Sequence, residues 1–326
     1  MFDAGSWLES LNIYIVENIV HSVVALAVIW LALAMFKVRD PASRTRLLLL
    51  PLVLPIFTPI VFYWLFPERQ GMLVLPLDKV FSLRSAFDDP AQWVALSNVL
   101  GLALAGIAVF LLLKGALSVV AMLWLPRKFQ PVEKGEDRHL DALLSGTTPA
   151  GAAAEPRVLL SPSSAVACFS FGLRKQYLVI SHGLLQRLDA SAIKAAVAHE
   201  LGHVRRHDGW LGFSLVSLRH ILFFNPVVHL LSRRLRLEAE MAADDVALST
   251  GMSRLAYARA LVTVSRLSLA PQPSFLGSNT FSSGAWALRQ RVKHILEPGL
   301  YSKGSLHKWL PPVAALLLPV VLFFLC

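Results

Sequence analysis

Charge and cysteine are both scarce in this sequence. Only 16% of its 326 residues are charged against 55% hydrophobic, and the mean hydropathy is +0.57. That balance is too apolar for a soluble domain of this length and makes membrane embedding the default. Two cysteines, Cys168 and Cys326, cannot build a disulfide framework and have no partner at metal-site spacing, so both are read as structural. Acidic residues are fewer than basic ones, 21 against 31. No Arg or Lys cluster interleaves with aromatics and no nucleic-acid-binding signature is present, so direct nucleic-acid binding is not the meaning of the excess. The first nine residues lack the basic flank and small-residue cleavage pattern of a removable signal peptide, so the first apolar segment is expected to stay in the membrane. No internal repeat is evident.

Long apolar runs are what the sequence has. Residues 19–36, 47–66, 93–113 and 310–326 each approach the roughly 20 residues that cross a hydrocarbon core as a helix. Pro51, Pro55 and Pro59 recur in the second run, which predicts a kinked span or short hairpin whose freed carbonyls find partners on neighbouring helices or water. Lys114 interrupts the third run, but the chain stays apolar to Leu125, so the helix is expected to continue with that lysine snorkelling to the interface. Lys37, Arg39, Arg44 and Arg46 crowd the first connection, which places it in the cytoplasm. Alternation then puts residues 67–92 outside and the polar region 127–308 inside. The expected architecture is an α-helical membrane protein of about four transmembrane helices with an inserted α+β domain. Its parts are a membrane region over 1–125, a linker over 126–156, a cytoplasmic domain over 157–305 and a last span over 306–326.

Within the polar region, residues 145–156 read SGTTPAGAAAEP, a linker composition. Short apolar segments at 158–160, 166–171 and 177–181 predict a small sheet, the last two as a hairpin. Asp189 is a fair N-cap for a helix to about His207, and Asn225 followed by Pro226 starts a second that ends before Gly251.

The first of these helices carries His199, Glu200 and His203 in the pattern HExxH. At 3.6 residues per turn the two histidines leave one face about a turn apart, so both imidazoles can reach one zinc ion. Glu200 lies beside them. Its carboxylate can take a proton from the water that zinc acidifies and later hand it to the leaving amine, which is peptide hydrolysis. A third ligand is still needed. Glu240 and Asp244 share a face of the second helix, whereas Glu238 points nearly the opposite way and Asp245 is offset, so Glu240 is read as the ligand and Asp244 as partner of a ligating histidine. The alternative is that this acidic cluster pairs with Arg233, Arg234 and Arg236 on a solvated face. His207 comes too early for the longer HExxHxxGxxH arrangement and, with Arg205, Arg206 and Asp208, suggests a helix end at the surface. His220, His229 and His294 lie outside any motif, and any of them could serve the oxyanion. Residues 210–224 are too short for a span. A single crossing there would part His199 from Glu240, so the segment is expected to be a core or interface helix, shallowly dipped.

These stretches resemble the bacterial membrane metallopeptidases of the beta-lactam-sensing signal transducer type, the BlaR/MecR-like group. The likeness rests on AVAHELGHVRRHDGW, FNPVVHLLSRRLRLEAEMAADD and the later basic run ALRQRVKHIL. The resemblance implies a zincin-like fold, a zinc metalloendopeptidase of the HExxH-plus-glutamate (gluzincin-like) kind, and limited proteolysis of a cytoplasmic repressor or of the protein itself. It assigns His199, His203 and Glu240 as Zn2+ ligands and Glu200 as the base. It also implies the bacterial cytoplasmic membrane as location, with the lipid bilayer and a protein or peptide substrate, such as a transcriptional repressor, as partners. Sensor members continue after the fourth span into an extracellular penicillin-binding domain, which is not seen here before Cys326, so a peptidase lacking its own C-terminal sensor is expected. The arrangement is also similar to the HtpX-like and CAAX-prenyl-protease membrane peptidases of quality control and protein processing. A non-catalytic sensor or scaffold subunit is the remaining alternative, against which an intact Glu200 argues. The loop 271–284, PQPSFLGSNTFSSG, has no apolar face to bury and is expected to be either a mobile lid or cut site, or a passive connector.

Overall fold

The computed structural model of the chain describes residues 4–65, 90–133, 135–136, 138–144, 155–267, 284–297 and six helical positions between 313 and 322. It is mostly helical, with one small sheet. Helix α1 (Ala4–Met35) turns back into α2 (Pro41–Leu65), and α3 (Pro90–Trp124) follows. Asp40 starts α2 by accepting hydrogen bonds from Ser43 N and Oγ at 2.9 and 2.7 Å, with Pro41 in the first turn, where its missing N–H costs nothing. Stretches Tyr14–Met35, Pro41–Val61 and Leu102–Lys128 are long and apolar enough to cross a membrane. The third runs through Lys114 without a break, and Lys114 is exposed. The fourth expected span lies mostly outside the described residues. Leu318 and Leu322, which are described, are buried with α1 and α2.

Helix α2 stays helical through Pro51, Pro55 and Pro59 rather than breaking into a hairpin. Each proline removes the N–H that would bond the carbonyl four residues earlier. Pro55 O instead accepts from Asn18 Nδ2 of α1 at 2.8 Å, and Ile56 O lies 3.3 Å from the Tyr14 hydroxyl.

After a 3-10 turn (Leu125–Lys128) the chain builds a four-stranded mixed sheet in the order β1 (Gln130–Pro131), β2 (Arg157–Ser161), β4 (Tyr177–Ser181), β3 (Cys168–Phe171). Strands β2 and β4 are parallel; β1 with β2, and β3 with β4, are antiparallel. The expected hairpin is thus β3–β4, turned by Gly172 at φ 114°, where a Cβ would meet Lys175 O. The stretch 126–156, expected as a linker, contains regular structure among its described residues. Pairing of Gln130 with Leu160 brings its start into the sheet, and α4 (Arg138–Leu144) buries Leu140 in the domain core. Residues 145–154 lie outside the described set, as does loop 271–284 up to Gly284.

Alternation along the strands gives the sheet two apolar faces. Phe169, Phe171 and Val179 pack with Met122 and Leu125 at the end of α3, so one face rests on the foot of that apolar helix. Leu178 and Ile180 face α5 (His182–Arg187), α6 (Ala190–Arg206), α9 (Arg254–Leu267) and α10 (Ala285–Leu296). Ser170 falls between Phe169 and Phe171 and so points to the α6 side.

Helices α7 (Asp208–Ile221) and α8 (Pro226–Leu248) form an antiparallel pair. At 14 residues α7 is about 21 Å long, too short to cross. The segment expected to dip shallowly packs along the candidate spans. Leu215, Leu218, Leu222, Val227, Val228, Leu231 and Leu235 share one core with Ala25, Ile29, Leu47, Leu48 and Leu52 of α1 and α2. The hairpin tip at Asn225 bonds to Asn18 and Ser22, inside the first apolar stretch. Doubling back at Asn225 lets the chain lie along α1 and α2 while keeping His199 and Glu240 together.

Candidate metal centre

Helix α6 begins where Asp189 Oδ1 accepts from Ala192 N at 2.7 Å and ends at His207, which adopts the left-handed conformation (φ 54°, ψ 37°). Helix α8 begins at Asn225, whose Oδ1 accepts from Val227 N at 2.9 Å. The two helices approach closely because of Gly202, between the histidines of the motif. A Cβ there would lie 2.8 Å from Ala243 O. A glycine facing an alanine lets His199 and His203 meet the α8 carboxylates.

The ligand-type atoms converge. His199 Nε2 lies 3.2 Å from His203 Nε2, 3.3 Å from Glu240 Oε2, and His203 Nε2 lies 3.5 Å from Glu240 Oε1. Ligand bonds of ~2.0–2.1 Å put the donor atoms of a tetrahedral zinc site about 3.3 Å apart, so this spacing fits such an ion. The other ring nitrogens are taken by carboxylates. His203 Nδ1 donates to Asp208 Oδ2 at 2.8 Å, and His199 Nδ1 lies 3.0 Å from Asp244 Oδ1. A carboxylate on each Nδ1 favours the Nδ1–H tautomer, which, once the imidazoles are neutral, turns both Nε2 lone pairs to the common point.

Of the residues expected from the sequence, the structure brings His199, His203, Glu240 and Asp244 together, and four further residues contact these or Glu200. Asp208, expected at a surface helix end, is buried beneath His203 and also accepts from Arg206 Nε at 3.1 Å. Arg205 and His207 are exposed at that corner. Ser170 of β3 donates twice to Glu200 Oε2, from its N and its Oγ, each at 2.8 Å. Tyr257 of α9 donates its hydroxyl to Asp244 Oδ1 at 2.7 Å. Arg291 of α10 lies 2.7 Å from Glu240 Oε2 and bonds Asp244 through Nη2 and Nε at 2.7 and 2.9 Å. The acidic cluster is therefore not a solvated face. Glu240 and Asp244 are buried, and Glu238, also buried, turns away to Arg44 and Arg234 at 2.8 and 2.7 Å. Among the other histidines, His294 bonds Asp245 at 2.8 Å and His229 the Phe223 carbonyl at 3.0 Å.

Electrostatics follow from this packing. Burial and Arg291 oppose charge on His199, but hydrogen bonds to Asp244 and Glu240 outweigh them and raise its pKa. Burial likewise opposes charge on His203, and Asp208 with Glu240 overcomes it, pushing the pKa up to about 10. Burial alone would raise the carboxyls of Glu240 and Asp244; Arg291 and the histidines hold both well below the usual range. The pocket is thus an anionic one that draws cations, whether protons, a guanidinium or a metal ion.

Apolar spans, and a helix-borne histidine pair facing a buried carboxylate, are features of membrane-embedded peptidases of the metal-dependent class. The chain belongs to the M56 peptidase family: the family's sequence model, described as BlaR1 peptidase M56, matches residues 14–295. Regulatory protein BlaR1 of Bacillus licheniformis is 27% identical over 138 residues, which are 42% of this chain and 23% of that protein. The match thus spans less than a quarter of that relative. Between the two resemblances read from the sequence, it is the signal-transducer type that the family match supports.

Proposed function

We propose that this chain is a multi-pass zinc metalloendopeptidase of the zincin type, with zinc held by His199, His203 and Glu240 and with Glu200 as the base. The observation that carries the reading is the convergence of two Nε2 atoms and a carboxylate at 3.2–3.5 Å, with each Nδ1 held by a second carboxylate. A bound zinc ion supplies Lewis acidity that polarises a peptide carbonyl and lowers the pKa of a water molecule. Glu200 is held through Oε2 by Ser170, which leaves Oε1 to receive that water's proton and pass it to the leaving amide nitrogen. Asp244, steadied by Tyr257 and Arg291, orients His199. Among the described strands β3 is an edge, so an extended peptide laid along it by main-chain pairing runs past Glu200.

The substrate in this reading is a cytoplasmic or membrane protein cut once or a few times in signalling, a transcriptional repressor or the chain itself being the leading targets. Family membership and a relative named as a regulatory protein support it. The basic connection between α1 and α2 supports a site on the cytoplasmic face of the bacterial cytoplasmic membrane. Metal analysis tests the centre: about one zinc per chain is expected in wild type and in Glu200→Gln, and none in His199→Ala or His203→Ala. Equal metal in wild type and both histidine variants would overturn it. Comparing protein fragments from cells expressing wild type or Glu200→Gln then identifies the substrate, whose cleavage products appear with wild type alone.

A further inference from the structure

Asn225 serves two purposes at the tip of the α7–α8 hairpin. Its Oδ1 caps α8, while its Nδ2 donates to Asn18 Oδ1 and Ser22 Oγ of α1, each at 2.8 Å. Asn18, Ser22 and Asn225 are all fully buried. Asn18 Nδ2 in turn donates to Pro55 O, a carbonyl left free because Pro59, four residues on, has no N–H to give it. A chain of hydrogen bonds therefore runs from α2, across α1, into the first turn of the helix that carries Glu240 and Asp244. Capping alone requires only an oxygen, which serine or aspartate would provide. The amide's two donations are thus spent on holding α8 to the first span.

A second tie lies about halfway along the same helix. Arg44 Nε of α2 donates to Glu238 Oε1 at 2.8 Å, two residues before Glu240 and on the opposite side of α8. Between the two ties Val228, Leu231 and Leu235 are packed among Ile29, Leu47, Leu48 and Leu52. From Asn225 to Glu240 the helix rises ~22 Å, with no glycine or proline after Pro226 to absorb a bend. Sliding α8 along its axis or rotating it would break either the buried amide network or the ion pair. Polar groups buried in such apolar surroundings are tolerated only when satisfied, so the network has few alternative arrangements.

We propose that Asn18, Ser22 and Asn225 are positioning residues: they lock α8 against α1 and α2 so that Glu240 stands opposite the histidine pair, and a shift of α1 relative to α2 is delivered to the metal ligand. The proposal rests on the reading of Glu240 as a ligand and deepens it into a route by which the membrane spans regulate the site.

The test uses the full chain in lipid nanodiscs and reads two quantities: zinc affinity by competition with a chelator, and amide hydrogen exchange along α6 and α8. Asn225→Ser keeps a capping oxygen and removes both donations; Asn18→Leu removes the Asn18 acceptor and its bond to Pro55 O, and leaves the cap and the Ser22 tie. Each is expected to weaken zinc binding about ten-fold, the weight of two interhelical hydrogen bonds in a membrane, and to speed exchange in α8 but not in α6. Because both remove the Asn225–Asn18 bond, the double variant should lose less than the sum of the two singles. Should these unfold the chain, Ser22→Ala removes one acceptor and is expected to cost about three-fold. Leu230→Ala, on the exposed side of α8, should match wild type in both readouts. Wild-type affinity in the lock variants, or exchange rising equally in α6 and α8, would overturn the proposal. Absence of zinc binding by wild type would instead sink the metallopeptidase reading, and the exchange data would still decide whether the lock holds α8.

Discussion

Asp208 lies five residues after His203, yet its carboxylate returns to within 2.8 Å of the His203 Nδ1, because the left-handed turn at His207 ends α6 and starts α7 almost at once. His203 thus takes its orientation from the same corner that sends the chain along α1 and α2. Two structural demands meet in one buried aspartate. Removing it should leave the ligand count unchanged but free the imidazole to rotate. Asp208→Ala is expected to lower zinc affinity about 10–100-fold, the usual effect of losing such a partner. Chelator competition measures it, and affinity within two-fold of wild type would count against the role.

Glu240 and Glu238 should not be interchangeable. Glu240→Gln removes a donor atom from the cluster and is expected to weaken zinc by more than the ~10–100-fold that outer partners cost. Glu238→Gln should keep one metal per chain and lower stability instead, since Arg44 and Arg234 lose their shared carboxylate. Both arginines reach solvent, so the loss should be about 1–3 kcal/mol, below that for a fully buried pair. Thermal unfolding with metal analysis separates the two outcomes. A metal-free Glu238→Gln beside a metal-replete Glu240→Gln would reverse the assignment.

How much of this was legible depended on whether the deciding interaction was local. His199, Glu200 and His203 stand out because a helix repeats every 3.6 residues, and the same periodicity separates Glu240 from Glu238. Asp189 and Asn225 were readable as caps because a cap acts two or three residues away. Ser170, Tyr257 and Arg291 were not, since they reach the site from other elements, 30, 58 and 92 residues from their nearest motif partner, and no local pattern marks them. Asp208 was hidden by a positive φ at a histidine, which spacing does not announce. The packing of the α7–α8 hairpin along α1 and α2 was likewise unreadable. Its polar tip is satisfied by Asn18, 207 residues earlier, and without that partner Asn225 and Pro226 read as an ordinary helix start.

Proton and metal should compete, and the sign can be worked out from His203. Its folded pKa of about 10 stands above the ordinary 6.5. A raised value means that the folded, metal-free chain holds this proton more tightly than the unfolded chain does. The resulting stabilisation is complete below about pH 6.5 and is lost as pH climbs towards 10. Metal-stripped protein should therefore melt progressively lower from pH 6.5 upward. Zinc binding runs the opposite way, because an imidazole must release its proton to bind, so affinity should rise about tenfold per pH unit for each proton displaced. A flat affinity profile between pH 6.5 and 8.5 would mean that His203 is neutral before the metal arrives.

Arg291 offers the sharpest separation between a structural cation and a metal ion at one site. It is buried, and it contacts Glu240 and Asp244 together. Without it the two carboxylates lie beside each other in a low-dielectric pocket, relieved only by Tyr257 and whatever protons the histidines hold. Breaking a buried pair in this way typically costs about 3–5 kcal/mol. Arg291→Met, which keeps length and apolar bulk, should therefore destabilise the metal-free protein strongly. Zinc brings two positive charges to the same carboxylate cluster and can replace much of what the guanidinium supplied. The rise in melting temperature on adding zinc should accordingly be larger in Arg291→Met than in wild type, while Leu230→Ala should show the wild-type rise. Thermal unfolding in nanodiscs with and without zinc gives the comparison. An equal zinc-induced rise in Arg291→Met and wild type would mean that arginine and metal do not share these carboxylates, and the ligand role of Glu240 would have to be reconsidered.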